Sequence, residues 1–287
     1  MPVNTLYCEG DIQSIDIQVL LKIVPDGCVI KPIGSKHGFR QRILGAREAQ
    51  PNIIIAGIKD RDFDEDNSKH TNTPHEWYAT VKNQQVPLGW YWDRKEIENY
   101  LIDPEVVKLA LGNKAPPIDK YKTALDKSAR KMASYTAARI ALSCVSYPNP
   151  PFNCWGEERE LGHFFPKERG LKESDCRSKI GHIIADKKRE MDALKVNILE
   201  QFDQLLEECG EGGERFKYYL TFFAGKDLLY MMRSELKKLG FKDSPQPACY
   251  VFRERILRGI QSSPEKVWTW LPEWQRLREF ISEFVVE

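Results

Sequence analysis

The chain has 287 residues, 41% of them hydrophobic and 30% charged, and a formal net charge of +1. That length supplies one large domain or two modest ones with ample core, and the composition is ordinary for a soluble globular protein. The balance of charge excludes a global basic field, so a nucleic-acid role needs a local basic patch. No apolar run is long enough to span a bilayer, and the chain enters strand-like sequence at once, so no signal peptide and no membrane partner are expected. The seven cysteines are scattered, without a CxxC pair, and read as reduced thiols in a cytoplasmic setting.

In chain order, "TLYC" (Thr5 to Cys8) reads as a short buried strand. Ile12, Ile15, Val19 and Ile23 recur at helical spacing and predict a helix after it. "GCVIKPIG" reads as a second strand punctuated by Gly27 and Gly34, and a helix through Phe39, Ile43 and Leu44 follows. "NIIIAGI" is a third strand, "VPLGWYW" a fourth, and "RKEIENYLI" a helix. This alternation implies parallel strands joined by right-handed crossovers. Purely apolar strands fit a sheet covered on both faces. From about Pro104 the strand signals fade. Ile184, Met191, Leu194, Ile198, Phe202 and Leu205 share one stripe and predict one long amphipathic helix; Trp274, Leu277, Ile281 and Phe284 do the same near the end. Between them, "SYPNPPFNCWGEERELGHFFPKERG" reads as a long irregular connection. The expected architecture is an α/β domain over residues 1–110 and a mostly α-helical region over 111–287.

Two of the predicted strands run into acids. The first ends at "CEGD", with Glu9 just after Cys8. The third ends at "KDRDFD", with Asp60 and Asp62. Sites in open parallel sheets form outside the carboxyl ends of the strands, so neighbouring strands would bring Glu9, Asp60 and Asp62 to one rim. Asp60 and Asp62, two apart, share one face of an extended chain. Clustered carboxylates repel one another and raise each other's pKa. A divalent cation removes that cost, and oxygen-only ligation suits Mg²⁺ or Mn²⁺ rather than zinc. The bland reading is that acidic loops after strands are common; Asp64, Glu65 and Asp66 fit a solvated surface.

Taken together, "LYCEGD", "KPIGSKHG" and "IIIAGIKDRDFD" resemble the Toprim domain, most closely that of OLD-family nucleases and of their stand-alone relatives, the effectors of PARIS anti-phage systems. "WDRKEIENYLIDP" (Trp92 to Pro104) is similar to the "REIENYL" segment of that branch, and "FFAGKDLL" (Phe222 to Leu229) resembles its "GK" segment. The match covers the first hundred residues well and the helical part thinly. The resemblance implies a Toprim-like parallel sheet flanked by helices. It implies Glu9 as a metal ligand or acid/base, Asp60 and Asp62 as metal ligands, Glu98 as the acid completing the cluster, and Lys226 as a contact to the scissile phosphate. The family places an Asp a few residues after its "EG". Here Asp11 comes early and Asp16 late; the apolar alignment of "DIQVLLKI" favours Asp16.

Phosphodiester hydrolysis needs an activated water, in-line geometry and neutralised charge, which two metal ions supply. Glu9, Asp16, Asp60, Asp62 and Glu98 could hold one or two. Lys226 opens a predicted helix after Gly225, where free N–H groups suit a phosphate; without the resemblance it is an exposed lysine beside Asp227. Glu98 has a bland reading too, as a surface acid on a helix packed through Ile97 and Leu101. Trp90, Trp92 and Tyr100 read as core. "GSKHGFRQR" offers Lys36, His37, Arg40 and Arg42 either to a nucleic-acid backbone or to solvent at a helix start. "DKKRE" (Asp186 to Glu190) reads as a solvated helix face. Cys154, His163, Cys176 and His182 fit no zinc knuckle. No GK[ST] loop occurs, so P-loop ATP binding is not expected; OLD nucleases carry an ATPase in the same chain, and control here would need a separate ABC-type ATPase partner. The expected protein is therefore a Mg²⁺-dependent nuclease acting on DNA or tRNA, with an anti-phage role. The apolar C-terminal helices would suit a homodimer or a partner. Two rivals stand beside it: a Toprim scaffold that binds metal or nucleic acid without cutting, and a primase- or topoisomerase-like enzyme.

Overall fold

The computed structural model describes residues 2–34, 38–63, 69–144, 158–160, 163–165, 172–187, 198–242 and 245–284. Along the chain run β1 (Thr5–Cys8), α1 (Ile15–Ile23), β2 (Val29–Pro32), α2 (Phe39–Ala49), β3 (Ile55–Lys59), β4 (His75–Val81), β5 (Gln84–Tyr91), α3 (Glu98–Leu101), α4 (Pro104–Leu111) and α5 (Ile118–Ser143). There follow β6 (Glu158–Glu160), β7 (His163–Phe165), α6 (Glu173–Lys187), α7 (Ile198–Cys209), α8 (Glu214–Lys217), α9 (Tyr219–Phe222), α10 (Gly225–Met231), α11 (Arg233–Lys238), α12 (Ala248–Ser262) and α13 (Pro272–Glu283). The chain divides into two compact units. The first comprises Met1–Arg61, His70–Ala115 and Arg253–Glu287; the second comprises Asp62–Lys69 and Pro116–Phe252. The break after Ala115 lies close to the expected one at residue 110, but the last residues return to the first unit. No described helix is long and apolar enough to cross a membrane.

The first unit is an α/β fold around a five-stranded sheet of order β2-β1-β3-β5-β4. β1 lies parallel to both β2 and β3, and β3 lies parallel to β5. Every residue of β3 is buried, as a greasy central strand of a covered sheet requires. The sheet is mixed, however, not the purely parallel one expected: β4 runs antiparallel to β5 as an edge strand. Lys82 and Asn83 join the two with φ of 47° and 67°, the backbone of a two-residue hairpin turn that matches strand twist. β4 alternates partly buried and exposed residues, which is how a strand with one covered face reads.

Helix α2 covers the sheet with Phe39 and Ile43, which join Ala79 and Leu88 in one core cluster. A glycine pair makes this possible. Gly57 and Gly89 sit opposite each other across β3 and β5. A Cβ on Gly57 would stand 2.7 Å from Ile43 Cδ1, and one on Gly89, whose φ is +139°, would strike the Gly57 carbonyl. Helix α13 closes the same unit: Val3 N–H donates to the Ile281 carbonyl at 2.9 Å, and Arg278 Nη1 donates to the carbonyls of Ile23 and Val24 at 3.0 and 2.5 Å. Of the expected stripe, Trp274, Leu277 and Ile281 are buried; Phe284 follows the helix, half-buried, with its ring centroid 4.9 Å from that of Trp90, so that apolar face is taken up within the unit.

Among the described residues the second unit is helical apart from β6 and β7, which pair antiparallel within the stretch expected to be irregular. Helix α5 is its spine, buried along most of its second half. The single helix expected through Ile184 and Leu205 is described as α6 and α7. Ile198, Phe202 and Leu205 of α7 are buried, while Met191 and Leu194 lie outside the described residues. Buried Arg139 of α5 pairs with buried Asp227 of α10. Its guanidinium also lies 4.3 Å from the Phe63 ring centroid and 5.6 Å from that of Tyr135, which seats Phe63 against α5.

Candidate functional site

The carboxyl end of β1 is shaped by two glycines. Gly10 and Gly34 exchange N–H to carbonyl bonds of 2.9 Å in both directions, and both have positive φ, 91° and 78°. That bridge turns the chain sharply just after Glu9. Ser14 then caps α1 by accepting from the Ile17 N–H, and Asp16 falls in the first turn, where a negative charge suits the helix dipole. Ile12, expected on the helix, precedes it and is exposed. The Cys8 thiol is pushed up to about 12, first by burial and then by the charges of Asp16 and Glu9. Both acids therefore lie within electrostatic reach of one buried sulfur. Asp11, by contrast, is exposed and turns its Oδ1 onto the Gln13 N–H at 2.8 Å.

Neighbouring β3 delivers Asp60 to the same end of the sheet, because Cys8 is in register with Ile58 across two parallel strands. Lys59, the last residue of β3, is buried with its ammonium 4.9 Å from the Trp77 ring and 5.8 Å from that of Tyr91. The next strand, β5, also ends here. Trp92 N–H donates to the Lys59 carbonyl and Arg61 N–H to the Lys95 carbonyl, both at 3.1 Å. The chain then enters α3, whose first residue is Glu98, only 3% exposed. The solvated-acid reading of Glu98 is thereby corrected: α3 is buried all round. Trp90, Trp92 and Tyr100 are core, as expected. Glu9 Oε1, Asp60 Oδ1 and Glu98 Oε2 are each buried oxygen atoms.

One constellation at this rim was missed in the sequence. Asp93 is fully buried. Its carboxylate accepts from His70 Nδ1 at 3.0 Å, His75 Nε2 at 2.8 Å, Thr71 Oγ1 at 3.1 Å and Asn72 N–H at 3.1 Å. Arg61 Nη1 lies 3.7 Å from Oδ1 and donates to the Asp93 carbonyl at 2.6 Å. Burial would raise this acid, but the hydrogen bonds from His70 and His75, the charge of His70 and the Asn72 N–H overcome it and hold the carboxyl well below the usual range. Beneath it, Glu273 Oε1 of α13 accepts the Asp93 N–H at 2.7 Å. Burial pushes Glu273 up to about 7, against the opposing charge of Arg94. The available signal was "HTNTPH" upstream of "WDR": two of the chain's five histidines, five residues apart.

Asp62 and Lys226 belong to the second unit. Lys226 is the second residue of α10, beside the Asp227 that pairs with Arg139. Arg40 and Arg42 are exposed on α2, and each donates to a backbone carbonyl, of Thr80 and of Ile33 respectively. Lys36, His37, Asp64, Glu65, Asp66 and Cys154 lie outside the described residues.

Among the described residues no three His, Cys, Asp or Glu side chains stand together as a ready metal-holding group. Within the first unit, Glu9 and Asp60 follow neighbouring parallel strands, Asp16 acts with Glu9 on the Cys8 thiol, and Glu98 opens α3 beyond the end of β5. They are hard oxygen donors, a set that suits Mg²⁺ or Mn²⁺ and gives zinc none of its preferred sulfur or nitrogen. No family model, no curated protein and no solved structure matches the chain.

Proposed function

We propose that this chain is a Mg²⁺- or Mn²⁺-dependent endonuclease of the Toprim type, cutting phosphodiester bonds in DNA or tRNA. The observation that carries the reading is the register of β1 and β3. It brings the ends of β1 and β3 out together at the carboxyl end of a mainly parallel sheet, so that Glu9 and Asp60 each follow one of two neighbouring strands, and Glu98 lies beyond the end of the next one. Glu9, Asp60 and Glu98 would hold the ion, with Asp16 near Glu9. A divalent ion held there supplies an activated water and neutralises charge that builds on the phosphate. The tight glycine turn at Gly10 and the buried helix α3 would fix the acids, so little reorganisation accompanies binding.

Roles for Asp62 as a further ligand and Lys226 as a phosphate contact follow from the resemblance to OLD-family nucleases. So do the anti-phage role and control by a separate ATPase. The test is to incubate the purified chain with plasmid, single-stranded DNA and total tRNA in Mg²⁺, Mn²⁺ or EDTA. Metal-dependent cleavage of one of these is expected and names the substrate class. Saturable Mn²⁺ binding with no cleavage of any of them would favour the non-cutting scaffold instead.

A further inference from the structure

We propose that Asp93 is a positioning residue for the acidic rim, locking the turn that carries Asp60 to the segment that leads into Glu98. The inference rests on the metal-holding reading above and names what would keep two of its ligands in register.

Asp60 and Glu98 arrive from separate strands, and the link between them runs through Arg61. Its backbone N–H holds the Lys95 carbonyl. Its guanidinium, with a side chain of 0% exposure, holds the Asp93 carbonyl and faces the Asp93 carboxylate. A guanidinium so buried is costly unless an anion stands beside it, and Asp93 is that anion. Arg61 cannot shift without losing it, and Arg61 is covalently next to Asp60.

Asp93 is itself pinned from the far side. His75 at the start of β4, His70, Thr71 and Asn72 grip the carboxylate, and His75 stacks on Tyr91 at 4.9 Å between centroids. Glu273 holds the Asp93 N–H from α13. A carboxylate can only accept, so His70 must carry its proton on Nδ1 and His75 on Nε2. These groups hold the Asp93 carboxylate from its far side, and the Asp93 carbonyl and carboxylate together hold the Arg61 guanidinium. Groups that orient metal ligands in this way typically govern affinity by about 10- to 100-fold.

Mn²⁺ titration of the full chain, with folding followed by circular dichroism, separates this role from general stabilisation. Arg61→Met should weaken Mn²⁺ binding by about 10- to 100-fold. Arg61→Lys keeps a cation beside Asp93 without the fork, so it is the variant safest for folding, and its affinity should fall between those of Arg61→Met and wild type. His75→Gln keeps an amide N–H that can donate to Asp93 and removes only the ring stacked on Tyr91; it should lower the melting temperature while leaving Mn²⁺ affinity near wild type. Wild-type affinity in folded Arg61→Lys, or equal losses in Arg61→Lys and His75→Gln, would overturn the proposal. If wild type itself takes up no Mn²⁺, the metal reading fails, and amide exchange decides the coupling. Faster exchange in Arg61→Lys at both residues 57–61 and 93–98 upholds it; a change confined to one segment overturns it.

Discussion

Gly10 and Ser14 approach so closely that a Cβ on Gly10 would stand 2.7 Å from Ser14 Cβ and 2.9 Å from its Oγ. The same glycine sits at φ +91°, where an L side chain is strained whatever the space. The "EG" pair is thus a backbone requirement: Gly10 turns the chain behind Glu9 and clears room for the cap of α1. Gly10→Ala should destabilise the first unit by about 1–3 kcal/mol, read as a lower urea midpoint. It should also weaken Mn²⁺ binding, because the strain is relieved only by moving Glu9 or Ser14.

Glu273 gives stability a specific pH dependence. Its folded pKa is raised by burial from the ordinary 4.5 to about 7, so between those values the folded chain binds more protons than the unfolded one. Stability should therefore fall as pH rises through that window, by on the order of 3 kcal/mol at most from this group. Glu273→Gln keeps the oxygen that accepts the Asp93 N–H and removes the titration. Denaturation curves at pH 5 and pH 8 should differ less in this variant than in wild type, with the variant the more stable at pH 8.

The buried pair of Arg139 and Asp227 in the second unit should show the asymmetry of buried ions. Arg139→Met or Asp227→Asn alone strands one charge, at a cost of about 3–5 kcal/mol. Arg139→Met also removes the cation over the Phe63 ring, so proteolysis near Asp62–Lys69 should accelerate. Joining Arg139→Met with Asp227→Leu should recover part of the loss in a denaturant titration.

Cys8 offers a chemical reporter at the rim. With its thiol pushed up to about 12 by burial and by Asp16 and Glu9, it should alkylate far more slowly at pH 8 than exposed Cys144. Glu9→Gln removes one of the two repelling charges. Mass spectrometry after iodoacetamide should then show faster modification of Cys8 and an unchanged rate at Cys144.

Much of the first unit can be read directly from the residues. Apolar runs mark β1 and β3, helical spacing marks α1 and α2, and strand–helix alternation implies the parallel pairs. β4 escaped because "HEWYATV" mixes charges and aromatics on an edge strand, and because the turn after it uses Lys82 and Asn83 rather than glycine. The start of α1 was placed too early because Ile12 matches the helical spacing while Ser14 supplies the cap. Glu9 and Asp60 are legible as acids after greasy strands. Asp93 is not: its partners come from residues 61, 70–75 and 273, and only the folded chain assembles them. Whether Glu98 is surface or core was equally hidden, since the burial of α3 depends on partners such as Trp274, whose ring centroid lies 5.9 Å from that of Tyr100.

The central claim is that Glu9 and Asp60 hold a divalent ion that drives phosphodiester cleavage. The most direct measurement is the cleavage rate of the chain's preferred nucleic acid as Mn²⁺ is raised, for wild type, Glu9→Gln and Asp60→Asn side by side. The expected result is a saturable rise for wild type and, for both variants, rates no higher than in EDTA. Cleavage by folded Asp60→Asn at the wild-type rate and the wild-type Mn²⁺ midpoint would contradict the account.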